Sequence, residues 1–128
     1  QSVAEAAYDL QSAREATRAL LAASPAPTAL LCGNDVLAYG ALLEAQARGT
    51  VVPEQLSVVG FDDLEMSRHW QPALTTIHVP TEAMWTLAAE HLIARLDGLA
   101  PGPLQQEIEV ELVVRGSTAP PLRSVRPR

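Results

Sequence analysis

Two adjacent carboxylates, Asp62 and Asp63, end an apolar run in the stretch VVPEQLSVVGFDDLE (51–65), behind a glycine and an aromatic ring. A second polar pair, Asn34 and Asp35, ends the run TALLCGND behind Gly33. A carboxylate accepts from two neighbouring hydroxyls, and an amide both donates and accepts, so Asp62 and Asn34 suit recognition of a polyol. An acid/base pair would need a cleft that holds two ionisations apart, and no nucleophile lies nearby. Asp62, Asp63, Glu65 and His69 offer oxygen and nitrogen donors for a metal but lack the spacing of a calcium loop. The plain alternatives are a turn or cap at Asp62, a cap at Asp63, an Asx-turn at Asn34 and a helix start at Asp35.

The elements that must position these residues are legible from periodicity. Apolar positions Leu10, Ala13, Ala16, Thr17, Leu20 and Leu21 recur at helical spacing behind Asp9, a suitable cap. The preceding SVAEAAY fits either a helix or a short strand. A short apolar run at 28–32 reads as a buried strand, and Val36 to Arg48 reads as a helix stopped by Gly49. A second buried strand spans 56–61 and a third extended segment 73–79. A helix then starts at Pro80 and Thr81, carries Met84, Leu87, Ala88, Leu92 and Leu96 on one stripe, and ends at Gly98. Residues 107–114 alternate Glu107, Glu109 and Glu111 against Ile108, Val110 and Leu112, the pattern of a strand with one wet face. Strand, helix and strand in succession imply parallel pairing and an α/β fold, a parallel sheet flanked by helices. Ligands of such sheets collect outside the carboxyl ends of the strands, where Asn34, Asp35, Asp62 and Asp63 all fall.

Composition narrows the function further. The 128 residues are 48% hydrophobic with a net charge of −6, enough for one packed domain and unsuited to gripping phosphates. All nine basic residues are arginines, which excludes Schiff-base lysine chemistry and the lysine of a P-loop. Cys32 is the lone cysteine, so no internal disulfide forms, and it reads as a small core residue. His78 and His91 read as partly buried packing residues. No run reaches membrane-spanning length and no export signal is visible, so a cytoplasmic location without membrane contact is expected. Nothing in the pattern calls for a cofactor. The tail from Thr118, rich in proline and arginine, is expected to be mobile.

The stretches PTALLCGNDVLAYGALLEAQARG, VVPEQLSVVGFDDLE, PALTTIHVP and ELVVRGST, in this order and spacing, resemble the C-terminal part of bacterial transcription regulators of the lactose/galactose repressor (LacI/GalR) family. The resemblance covers roughly residues 8 to 118. It implies a two-lobed, periplasmic-binding-protein-like (type I) effector-binding region, of which residues 1–78 and 105–118 form the C-terminal lobe. Residues 79–104 would cross to the N-terminal lobe and 119–128 would be a tail, while the helix-turn-helix headpiece and most of the N-terminal lobe would lie outside this partial chain. By matching motif, Asp62 and Asn34 fall where the family contacts its effector, and Tyr8 matches an aromatic position that packs on the bound molecule. Ser12-Ala13 departs from the Ser-Gly of many members, which puts the backbone around Tyr8 in question. Tyr39, Leu42 and Trp70 fall in segments that the resemblance places at a homodimer seam, although the same residues also suit an ordinary core. The implied function is an effector sensor, not an enzyme, that controls operator DNA binding through the headpiece. A periplasmic sugar receptor of the same architecture is the alternative.

Overall fold

A computed structural model of the chain describes residues 2–99, 102 and 105–121. The elements run α1 (Leu10–Leu21), β1 (Ala29–Leu31), α2 (Asp35–Ala47), β2 (Ser57–Asp62), a 3-10 turn (Glu65–Arg68), β3 (Thr75–His78), α3 (Thr81–Leu96) and β4 (Glu111–Val113). The strands form one sheet in the order β1-β2-β3-β4. The first three are parallel and β4 runs antiparallel to β3, with His78 opposite Glu111. The expected α/β architecture is present.

Local signals explain where the helices start. Asp9 accepts from the backbone N–H of Ser12 and caps α1, and Asn34 accepts from that of Leu37 and caps α2. Residues 2–7, open between helix and strand in the sequence, form neither. α2 is apolar almost all round, which makes it the buried helix of the unit. Ala38, Ala41 and Ala45, with Tyr39 and Leu42, pack on Leu56, Val58 and Leu74 to form the core, and Cys32 packs against it. Burial pushes the Cys32 thiol up to about 12, a value at which it stays protonated and inert.

α1 lies against α2 through small residues. A Cβ at Gly40 would collide with that of Ala13 and stand 3.0 Å from the Leu10 carbonyl oxygen, so only glycine allows the helices this close. Glu44 is buried in the same contact. Arg18 grips it with Nε at 2.8 Å and Nη2 at 3.1 Å, and Arg14 adds a contact at 3.4 Å. The Arg18 hydrogen bond, more than any other influence, holds the Glu44 carboxyl below its ordinary range.

Two expectations need correction. The alternating segment 107–114 pairs only over Glu111–Val113, and Val110, Leu112 and Val114, on the face expected to be covered, stay exposed. Alternation fixes which side chains share a face, whereas burial also requires a second layer, and the main neighbour of β4 among the elements is β3. The tail does not become free at Thr118: the Thr118 hydroxyl bonds that of Thr75 at 3.0 Å, and Ala119 exchanges hydrogen bonds with Ser57. Residues 122–128 lie outside the described residues. α3 has the expected bounds, yet none of its residues is buried, and Trp85, Leu92, Ile93 and Leu96 are exposed.

Gly60 in β2 is a notch. A Cβ there would fall on Oδ1 of Asp35 and 3.0 Å from Leu74 Cδ2. Gly60→Ala should therefore destabilise the fold by about 3 kcal/mol, the upper end of ordinary overpacking. Urea unfolding checks this, and a change below about 0.5 kcal/mol would mean that Asp35 is not seated against β2.

Candidate functional site at the carboxyl edge of the sheet

The register of the parallel strands pairs Ala29 with Ser57, Leu30 with Val58 and Leu31 with Val59. The Cys32 backbone N–H still donates to the Val59 carbonyl at 2.9 Å, beyond which the chain bends at Gly33 and Asn34, so Asn34 and Asp62 both fall at the carboxyl ends of these two adjacent strands. Asn34 is half-buried, and its Oδ1 caps α2 through Leu37 N at 2.9 Å. The capping and binding alternatives are thus not exclusive, because the cap fixes the amide while Nδ2 makes no hydrogen bond among the described residues. Asp62 is also half-buried and its carboxylate makes no hydrogen bond or ion pair among them. Burial, with a smaller contribution from the charge of Asp35, raises its pKa above 3.8. Tyr8, 77% exposed, precedes α1 and contributes only an open aromatic face.

The other two members of the acidic quartet do different work. Asp35 is more than a helix start. It is fully buried, and its carboxylate accepts from Thr76 Oγ1 and Ser67 Oγ at 2.5 Å each and from the backbone N–H of Leu64 at 2.8 Å. Ser67 is also hydrogen bonded to the Tyr39 hydroxyl at 2.8 Å. Asp35 thereby joins the start of α2, β3 and the turn after Asp62. Its placement was foreshadowed by α2 itself, since a charge at the head of a helix that is apolar all round must be buried and satisfied.

Asp63 caps nothing. Its carboxylate is paired with Arg115 Nη2 at 2.5 Å and His78 Nδ1 at 3.2 Å. His78 is correspondingly an exposed hydrogen-bond partner of Asp63, not a packing residue, while His91 on α3 is half-buried. Asp62 and Asp63 have φ of 112° and 52°, a backbone that side chains rarely adopt. Such residues cost roughly 1–3 kcal/mol each and persist where their surroundings hold them. Sequence patterns gave no sign of Arg115 or of Ser117, which is buried and bridges Thr75 N and the Val58 carbonyl.

Of the residues expected at a dimer seam, Tyr39 and Leu42 are each 8% exposed and belong to this chain's own core. Trp70 is half-buried, edge-on to the Tyr39 ring at 5.4 Å. Its buried indole N–H has no partner among the described residues, and its ring borders a groove of about 190 Å³ shared with Leu43, Gln46, Val52, Gln71 and Pro72. Among the described residues no three His, Cys, Asp or Glu side chains are grouped to hold a metal, and no helix is long and apolar enough to cross a membrane.

A largely parallel sheet with a polar carboxyl edge is the architecture in which small ligands collect outside the strand ends. Comparison with known proteins agrees: the chain belongs to the periplasmic binding protein-like domain family, whose model matches residues 1–118. It is 36% identical over 120 residues to the HTH-type transcriptional repressor PurR of Escherichia fergusonii, covering 93% of this chain and 35% of that protein. Among solved structures it is similar to the transcriptional regulator CelR in complex with cellobiose, at a TM-score of 0.82 and 33% identity over 88% of this chain and 34% of the other. It is similar also to a LacI family transcriptional regulator from Enterococcus faecium with bound ribose, at a TM-score of 0.81 and 29% identity over 92% and 43% of the two chains. The resemblance to the effector-binding region of LacI/GalR regulators therefore holds, with the chain spanning about a third of the length of its curated relatives.

The raised pKa of Asp62 has a sign that can be measured. Its contribution to stability is fully present below 3.8, the unbound carboxyl value, and is lost as pH rises through the higher folded value. Asp62→Asn lacks this loss. The melting temperature of the variant relative to the parent should gain at neutral pH and the gain should vanish below 3.8; a pH-independent difference would contradict the buried carboxyl.

Proposed function

We propose that this chain is the effector-binding portion of a LacI/GalR-type transcriptional regulator, a repressor, that senses a small sugar or related polyol. The observation that carries the reading is that Asn34 and Asp62 follow the carboxyl ends of two adjacent parallel strands, each half-buried with polar atoms that make no hydrogen bond among the described residues. Asp62 accepts hydroxyl hydrogens and Asn34 Nδ2 donates to a ring or hydroxyl oxygen. Tyr8 covers the apolar side of the ring. The sugar-bound regulators among the structural neighbours support a hydroxylated ligand.

In this reading α3, with its uncovered apolar stripe, crosses to a second lobe that completes the mouth. The groove beside Trp70 forms the homodimer seam. Effector bound between the lobes favours one lobe arrangement and so alters how the dimer presents its headpieces to operator DNA in the cytoplasm. Such coupling requires different effector affinity in the two arrangements. The site binds and does not turn its ligand over. The repressor relatives favour this reading over a periplasmic sugar receptor of the same architecture.

The test is calorimetry on the intact protein with cellobiose, ribose and a panel of related mono- and disaccharides. Hydrogen bonds to a charged group are worth about 1.5–3 kcal/mol, so Asp62→Ala should weaken the best ligand by about 10- to 150-fold while leaving the fold intact. Unchanged affinity would remove Asp62 from the site.

A further inference from the structure

We infer that Arg115 is a positioning residue for this edge: acting through Asp63, it fixes the turn that presents Asp62 and ties that turn to both segments flanking α3. The turn is not held by its own conformational preferences, since two consecutive non-glycine residues carry positive φ. Asp35 holds the far side of the turn at Leu64 and Ser67, and at the positive-φ residues themselves the hold is the carboxylate of Asp63, 8% exposed and gripped at both oxygens, by Arg115 Nη2 on Oδ1 and His78 Nδ1 on Oδ2. These partners come from opposite ends of one excursion. His78 is the last residue of β3, before the chain leaves through Val79 and Pro80 into α3. Arg115 follows β4, the strand on which the chain returns.

The guanidinium is itself anchored. Its Nη1 donates to the Leu74 carbonyl at 2.9 Å, and the Arg115 backbone N–H donates to Thr75 Oγ1 at 2.9 Å. One fork thus spans the entrance to β3 and the turn after β2, a geometry that a single ammonium does not reproduce. A shift of the outgoing or returning segment moves a partner of Asp63, and Asp63 is bonded in sequence to Asp62. The functional weight of this device rests on the reading of Asp62 as an effector contact, but its existence is testable with no effector present, so the two stand or fall separately.

The experiment follows the Asp62 carboxyl by NMR titration of the intact protein carrying carboxyl-labelled aspartate. In the parent, Asp62 titrates above 3.8 because the turn keeps it from water. In Arg115→Met the turn is released, Asp62 reaches solvent, and its titration midpoint should lose at least half of that displacement. Loss of a nearby positive charge alone would push the midpoint upward. Arg115→Lys keeps the charge without the fork, and should lower the midpoint in the same direction by a smaller amount, with a cooperative melt confirming that it is folded. A midpoint unmoved or raised in the lysine variant would overturn the inference, even if the methionine variant failed to fold.

Discussion

The carboxylate of Asp35 is the constraint on which the arrangement depends. A charge withdrawn this far from water is tolerated only where its lone pairs are filled, and the fold is arranged to fill them. Gly60 gives up its side chain so that β2 can admit the carboxylate, Thr76 turns its hydroxyl inward from β3, and the turn after Asp62 delivers Ser67 and the Leu64 N–H. Three separate pieces of chain are thereby registered against the head of α2. Because Asn34 is the residue before Asp35 and Asp62 lies just before the turn that Asp35 holds, the buried hub sets the positions of both half-buried polar tips.

The edge therefore has two layers with different duties. Asp35 and Asp63 are saturated by protein partners, one by hydroxyls and a backbone N–H, the other by Arg115 and His78. Asn34 Nδ2 and Asp62 are left open to a ligand. Such a division suits the proposed sensing role: a polar group held in an unfavourable backbone by the Arg115–Asp63 ion pair is preorganised, and less conformational freedom would remain to be lost on binding a ligand. It also accounts for four polar residues at one edge of a domain whose apolar core is mainly alanine and leucine, with Tyr39 and Val58.

Much of the fold was legible because its determinants are local. The Asp9 and Asn34 caps, the stops at Gly49 and Gly98, and the apolar runs of β1 and β2 each depend on neighbours within a few residues. The position of Asn34 and Asp62 followed from topology alone, since parallel strands put their carboxyl ends together. What stayed hidden depends on residues distant in the chain. Asp35 reads as a helix start until Ser67 and Thr76 are brought to it, and Asp63 reads as a cap until Arg115 arrives from beyond α3. The alternation at 107–114 misled for a related reason, because a period of two carries no information on whether a second layer exists to cover Val110 and Leu112. Tyr39 and Leu42 likewise have the composition of either a core or a seam, and only packing separated them, leaving Trp70 at the surface.

The central claim is that the carboxyl ends of β1 and β2 form half of a hydroxyl-recognising mouth. Amide chemical-shift mapping of the intact protein during titration with cellobiose, ribose and related saccharides tests it most directly. The account predicts saturable shifts concentrated on Tyr8, Asn34, Asp62 and Asp63, with the groove at Leu43, Gln46 and Pro72 responding less. Shifts centred on that groove, or no saturable response to any saccharide, would contradict it.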